Sequence, residues 1–285
     1  MNVIRASHAG FCMGVALALH KLDTIVASRP DQSVATLGEI IHNPQVLEDY
    51  ARKGVRCLHA VEEAEGDMSV LIRAHGIPRD VEARLRERCA RVEDATCPRV
   101  KNAQLAIAEA TADGRELLLY GEASHPEVRG LISYAAGASR IFSSLADLDA
   151  LLSGAELDGR PLVLAAQTTQ DRLIFDEMHR RLSARFGSSL AVLDTICDAT
   201  RERQEEAGEI AARVQAMVVA GGKSSGNTKR LAELARMRGV PTVLVETADE
   251  LNAADFAGVR TVGLTAGAST PRYIIDEVEK RLRLL

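Results

Sequence analysis

A chain of 285 residues that is 46% hydrophobic has material for one large domain or two to three small ones. Its net charge of −5, with four Tyr, five Phe and no Trp, excludes a basic, aromatic-studded nucleic-acid surface. No run approaches the ~18 apolar residues of a membrane helix; the early run FCMGVALAL lacks a cleavage site and passes straight into His20, Lys21 and Asp23, which argues against a secretory signal.

In chain order, a short strand-like run leads to HAGFCMGVALAL, where Cys12 opens a helix-like stretch. LGEIIHNPQVLEDY (Leu37–Tyr50) follows the apolar run VATL with Gly38, places His42 four positions later, and continues as a helix. LIRAHGIPRDVEARL (Leu71–Leu85) again runs strand, small polar turn with His75 and Gly76, then amphipathic helix. VEDATCPRVKNAQ brings Cys97, and the cycle restarts. YGEASHPEVRGLISY (Tyr120–Tyr134) carries Gly121 and His125, and LAAQTTQDRLIFDEM (Leu164–Met178) carries Thr168 and Thr169. LDTICDATRERQ brings Cys197. GGKSSGNTKRLAELA (Gly221–Ala235) then has Gly222 with Gly226 four positions on, and LTAGASTPRYIIDEV (Leu264–Val278) has Gly267 and Ser269. Short loops are expected near Arg29–Gln32, Ala64–Asp67, Gly154–Arg160 and Ala253–Gly258.

The period is regular: His42, His125 and Gly226 lie 30, 28 and 29 residues after Cys12, Cys97 and Cys197. Self-similarity of this kind indicates repeated structural units. The predicted fold is α/β, with three similar small α/β units in pseudo-threefold, trefoil-like symmetry around a central cluster cavity. The units are 13–96, 97–193, and 194–285 together with 1–12, because the third repeat ends without its own cysteine and Cys12 can fill that place. Loops at the strand C-terminal ends, where open α/β sheets bind ligands, face inward.

Three cysteines equivalent in a repeat can meet on the shared axis, where three thiolates hold a metal or cluster and leave one corner open. A cysteine at a helix start is favoured as thiolate by the helix dipole and nearby N–H groups. Iron–sulfur clusters and open zinc sites both use such ligands. Five cysteines without a secretory signal fit a reducing, cytoplasmic setting and metal chemistry better than disulfides. Cys57 and Cys89 fall outside the repeat positions and are expected to be structural thiols. His42, His75, His125, Thr168, Thr169, Ser225, Asn227 and Ser269 stand on glycine-containing loops before helices, a good phosphate cradle. GGKSSGNTKR lacks the GxxxxGK[ST] order of a P-loop. Glu127, two residues after His125, is a candidate proton donor.

The ordered motifs GFCMGV, IIHNP, AHGI, DATCP, HPEV, QTT, DTICDAT, SSGNT and TAGAS, from Gly10 to Pro271, resemble the 4-hydroxy-3-methylbut-2-enyl diphosphate reductases, the IspH/LytB family. The resemblance implies a 4Fe–4S cluster on Cys12, Cys97 and Cys197 with its fourth iron open to substrate, and a 3Fe–4S form once oxygen removes that iron. It implies diphosphate binding by His42, His75, His125, Ser225, Gly226, Asn227 and Ser269, a proton source in Glu127, and a relay through Thr168, with His125 among the catalytic groups. The implied reaction is reductive dehydroxylation to isopentenyl and dimethylallyl diphosphate, the last step of the non-mevalonate isoprenoid route. A ferredoxin or flavodoxin would supply electrons, since the chain has no GxGxxG or other sign of nicotinamide or flavin binding. A monomer or weak homodimer is expected, with no nucleic-acid or membrane partner.

Three positions depart from the family pattern: Asp198 for Tyr, Glu202 for Asn, and Gly226 for Ser. Two carboxylates beside an anionic substrate are unfavourable unless they point away, which leaves a paralogue acting on a related allylic diphosphate as an alternative. A Cys₃ zinc hydrolase, a non-enzymatic iron–sulfur sensor, and a protein with purely structural thiols are the other readings, separable by colour, turnover and single Cys→Ser variants.

Overall fold

The computed structural model describes residues 1–28 and 32–285, so of the expected Arg29–Gln32 loop only Gln32 lies within the described residues. Its strands form three all-parallel sheets of four. The first has the order β3 (Arg56–Leu58), β2 (Val34–Leu37), β4 (Ser69–Ile72), β5 (Arg91–Asp94). The second runs β7 (Ser139–Phe142), β6 (Glu116–Tyr120), β8 (Leu162–Ala166), β9 (Leu190–Val192). The third runs β11 (Thr242–Val245), β10 (Ala216–Ala220), β12 (Thr261–Ala266), β1 (Asn2–Arg5). Each sheet therefore repeats one order, with its first and third strands central. The α/β class and the threefold repetition of one small unit are as expected. In the third sheet the fourth strand comes from the chain's N-terminus, with β1 paired to β12 from Asn2↔Thr261 to Arg5↔Leu264.

The central strands are buried and mostly apolar because helices cover both faces of a parallel sheet. In β6, Leu118 and Tyr120 pack with Phe175 and Met178 of α7 (Arg172–Phe186). The alternate residues Leu117 and Leu119 pack with Ile107 of α4 (Pro98–Ala110) and Val128 of α5 (Pro126–Ile132). The third sheet does the same. Val218 and Leu264 meet Ile275 and Val278 of α10 (Arg272–Leu284), while Val219 meets Leu231 of α9 (Gly226–Met237). The remaining helices are α1 (Met13–Ser28), α2 (Pro44–Arg52), α3 (Arg79–Arg88), α6 (Leu145–Leu152) and α8 (Asp198–Ala211).

Contacts gather the chain into two compact units. One holds Met1–Ala16, Ile41–Arg52 and Asp198–Leu285, and contains the third sheet. The other holds Leu17–Ile40 and Lys53–Cys197, and contains the first and second sheets. Among the described residues no helix is long and apolar enough to cross a membrane.

Candidate active site

One backbone device places all three repeat cysteines. Cys12, Cys97 and Cys197 each stand immediately before a helix: α1, α4 and α8. Their N–H groups donate to the carbonyls of Ala268 (3.1 Å), Ala74 (2.9 Å) and Thr168 (3.0 Å). In every case the acceptor lies two residues beyond the third strand of its sheet. All three are outside any disulfide and partly exposed. The Cys12 sulfur also accepts the Val15 N–H at 3.5 Å. Accessible thiols at helix starts suit a metal cluster better than a packed core.

In the unit with the first two sheets, Thr168 ties a carboxylate to a cysteine. Its N–H donates to Glu127 Oε1 at 2.6 Å, while its carbonyl accepts the Cys197 N–H. Glu127 is only 1% exposed. His125 caps α5, with Nδ1 accepting the Glu127 N–H at 3.1 Å. A backbone N–H can only donate, so a neutral His125 ring carries its proton on Nε2. His75 meets His125 edge-on, ring centroids 5.4 Å apart. The structure thus brings His75, His125, Glu127, Thr168, Cys97 and Cys197 into one unit.

His42, Ser225, Gly226, Asn227, Ser269 and Cys12 lie in the other unit. There, Ser269 Oγ donates to the His42 carbonyl at 3.0 Å. Ser225 caps α9 by accepting the Thr228 N–H at 3.3 Å. Asn227 is 4% exposed, yet neither its amide nitrogen nor its amide oxygen has a partner among the described residues. An unpaired buried amide is costly, and a ligand with acceptors and donors would satisfy it.

The structure shifts one sequence register. Counting from Gly222 had matched Gly226 with His42 and His125. The turn glycines are instead Gly38, Gly121 and Gly221, which donate to the carbonyls of Leu58 (2.7 Å), Phe142 (2.9 Å) and Val245 (2.8 Å). Gly221 takes the turn because β10 ends at Ala220 and its φ of 141° suits glycine. A Cβ on Gly222 would collide with the His42 carbonyl oxygen. Ser225 therefore stands where His125 stands, and Gly226 is the first residue of α9. In the first repeat the cap is Asn43, whose Oδ1 accepts the Val46 N–H at 3.1 Å. Counted from the caps, Gln45, Glu127 and Asn227 all occupy the second helical position. The sequence reading missed Gln45, whose buried Oε1 has no partner among the described residues. The signal that would have found it is the cap, not the glycine.

The two unusual carboxylates sit at the surface. Asp198 lies 3.5 Å from Arg201, and Glu202 points toward His8 Nε2 at 3.9 Å, each about half exposed. Of the other thiols, Cys89 is buried and donates to the Glu65 carbonyl at 3.2 Å, and burial pushes its thiol up, as fits an inert group. Cys57 differs from the expected structural thiol, because β3 is a three-residue edge strand that leaves it exposed.

The chain matches the family model described as LytB protein over residues 3–283. The chain belongs to the LytB family. It is 54% identical, over the full length of both chains, to a 4-hydroxy-3-methylbut-2-enyl diphosphate reductase of Desulfovibrio desulfuricans. It is 42% identical to the protein of that name from Geobacter, covering 99% of this chain and 97% of the relative. Among solved LytB-family structures it is similar to an (E)-4-hydroxy-3-methyl-but-2-enyl diphosphate reductase described as the terminal enzyme of the non-mevalonate pathway. That match has a TM-score of 0.67 at 38% identity, covering 100% and 99% of the two chains. The reductase of Plasmodium falciparum matches with a TM-score of 0.91 at 25% identity, covering 100% of this chain and 87% of that one.

Proposed function

We propose that this chain is an enzyme that reduces 4-hydroxy-3-methylbut-2-enyl diphosphate to isopentenyl and dimethylallyl diphosphate, the last step of the non-mevalonate route. Family membership over residues 3–283 supports the reaction. The observation that carries the residue roles is Thr168, bonded through its N–H to Glu127 and through its carbonyl to Cys197. It ties the segment that carries the acid to the backbone of a cluster-bearing cysteine, and a reaction that protonates a leaving hydroxyl needs a positioned acid.

In this reading Cys12, Cys97 and Cys197 hold a 4Fe–4S cluster by three corners, consistent with their partial exposure and helix-start positions. When bound, such a cluster supplies electrons one at a time and a Lewis-acidic open corner. The protein's own part is positioning and proton delivery. His42, Ser225, the Gly226 N–H, Asn227 and Ser269, with His75 and His125, are assigned to the diphosphate; the unpaired Asn227 amide supports this. Glu127 gives its proton to the departing oxygen, which leaves as water as the C–O bond breaks; two electrons from the external donor and a second proton on the allyl carbon then complete either isomer. Thr168 orients the substrate hydroxyl and relays the proton, and His125 steadies Glu127 by accepting its backbone N–H at Nδ1. A ferredoxin or flavodoxin is the electron donor in the cytoplasm, acting on a monomer or weak homodimer. The division into 13–96, 97–193, and 194–285 with 1–12 follows the repeats.

Anaerobic purification, an absorption spectrum, and iron and sulfide counts before and after adding the substrate test the reading. A broad band in the visible, iron approaching four per chain and a substrate-dependent change are expected for a cluster with three protein ligands. A colourless protein holding zinc or nothing after reconstitution would overturn it.

A further inference from the structure

A cavity of 260 Å³ lies beside the turn after β2, wholly within the unit of the first two sheets. Its lining is divided in character. Leu37, Val61, Ile77 and Val81 make an apolar floor, while Arg73, Arg84 and Arg129 bring three guanidinium groups to one small space. Arg84 is paired with Glu62. Arg73 and Arg129 have no carboxylate ion pair among the described residues.

Arg73 is held in place. Its side chain folds over Gly38, where any Cβ would collide with the guanidinium, and its Nε donates to the Gly76 carbonyl at 3.3 Å. Burial holds this guanidinium below its ordinary value; Arg129 pushes the same way, against Cys57 and Glu39. Two like charges facing one cavity repel, and a partly desolvated guanidinium that Glu39 offsets only from a distance, without an ion pair, is unfavourable. A planar fork matches phosphate oxygens in paired hydrogen bonds. The apolar floor beside the cations fits an anion that also carries a hydrocarbon part. Position adds a consequence. Arg73 lies two residues before His75, and Arg129 two residues after Glu127. An anion between the two arginines would join the segments that carry those groups.

We propose that this cavity binds a small organic phosphate, its phosphate between Arg73 and Arg129 and its hydrocarbon part on Leu37, Val61, Ile77 and Val81, and that occupancy steadies the segments bearing His75 and Glu127. The second half rests on the catalytic reading above; the binding half does not.

The test is calorimetric titration of the anaerobically purified full chain carrying Ser225→Ala and Asn227→Ala, which disables the diphosphate cradle. Isopentenyl monophosphate and inorganic phosphate are the probes. One site per chain is expected for the monophosphate, with affinity about tenfold above that of inorganic phosphate. Arg129→Met, a change at an exposed helical position, should weaken it about tenfold or more. Arg73→Lys, which keeps the charge and loses the fork, should weaken it severalfold. Absence of binding, or binding indifferent to both variants, overturns the site. Equal affinity for inorganic phosphate overturns the organic class. In the otherwise unaltered enzyme the monophosphate should change the KM for the substrate, and Arg129→Met should abolish that change. An unmoved KM with intact binding overturns the coupling, whereas intact binding in a chain with no reductase activity overturns the catalytic reading and leaves the site standing.

Discussion

The second and third repeats build the same loop and furnish it for different work. Both place a turn glycine after the first central strand, a capping side chain four residues later, and a polar residue at the second position of the helix. In the second repeat that polar residue, Glu127, is shut in and bonded to the Thr168 N–H. In the third it is Asn227, also buried, whose side-chain amide has no partner among the described residues. The scaffold below differs in parallel. β6 begins with the buried Glu116, held by Arg140 at 2.6 Å and Arg160 at 2.8 Å, where β10 begins with Ala216. One backbone thus supports a loop whose polar side chain is bonded within its unit and a loop whose polar side chain is not, and the cap and the strand start change with it.

The sharpest way to break this contrast is Glu127→Gln, which keeps the shape and the acceptor for Thr168 but removes the acid. We expect kcat to fall by about 10²–10⁴, with KM changed by about threefold at most. A KM effect with kcat intact, seen in steady-state assays with a chemical reductant, would make Glu127 a binding group like Asn227. Next in size is Glu116→Gln, expected to cost about 2 kcal/mol by removing the charge that holds the half-exposed Arg160 and Arg140, which keeps Glu156. Although burial alone would raise the Glu116 carboxyl, hydrogen bonds from Arg140 and Arg160 hold it below its ordinary 4.5. The Glu116 contribution is therefore present above about pH 4.5 and lost as pH falls through the lower folded value. Urea unfolding across this range should show that slope in the parent and lack it in the variant; an identical slope would refute the assignment.

Asn227→Ala should show the opposite kinetic split from Glu127→Gln. Loss of a hydrogen bond to a charged ligand is worth about 1.5–3 kcal/mol, so KM should rise by about tenfold or more while kcat holds. A fall in kcat alone would collapse the distinction between the two loops. The smallest change is Gly226→Ser, which restores a hydroxyl at the first residue of α9. A roughly twofold lower KM with unchanged iron content is expected, because one exposed neutral hydrogen bond contributes little. Abolished activity would mean the loop is arranged otherwise.

Much of this molecule was legible before any coordinates, for a local reason. Cysteines before helix starts, apolar runs ending in glycine, and His125 or Ser225 before a helix are signals carried within about a dozen neighbouring residues. The α/β class, the threefold repetition and the loops bearing the candidate site all followed from them. Register was less secure, since two adjacent glycines, Gly221 and Gly222, look alike in sequence. Only the pairing of Gly221 with Val245, across a strand crossover, separates them.

The tertiary structure alone decided which polar groups find partners. That Thr168 bridges Glu127 and Cys197, that Gln45 and Asn227 keep unpaired amide atoms, and that Arg73 shares a cavity with Arg129 are outcomes of packing between segments tens of residues apart. Hydrogen bonding and desolvation depend on ångström distances that spacing along a chain does not encode. The chemistry available at each loop was written in the sequence, and which side chains found partners was settled by the fold.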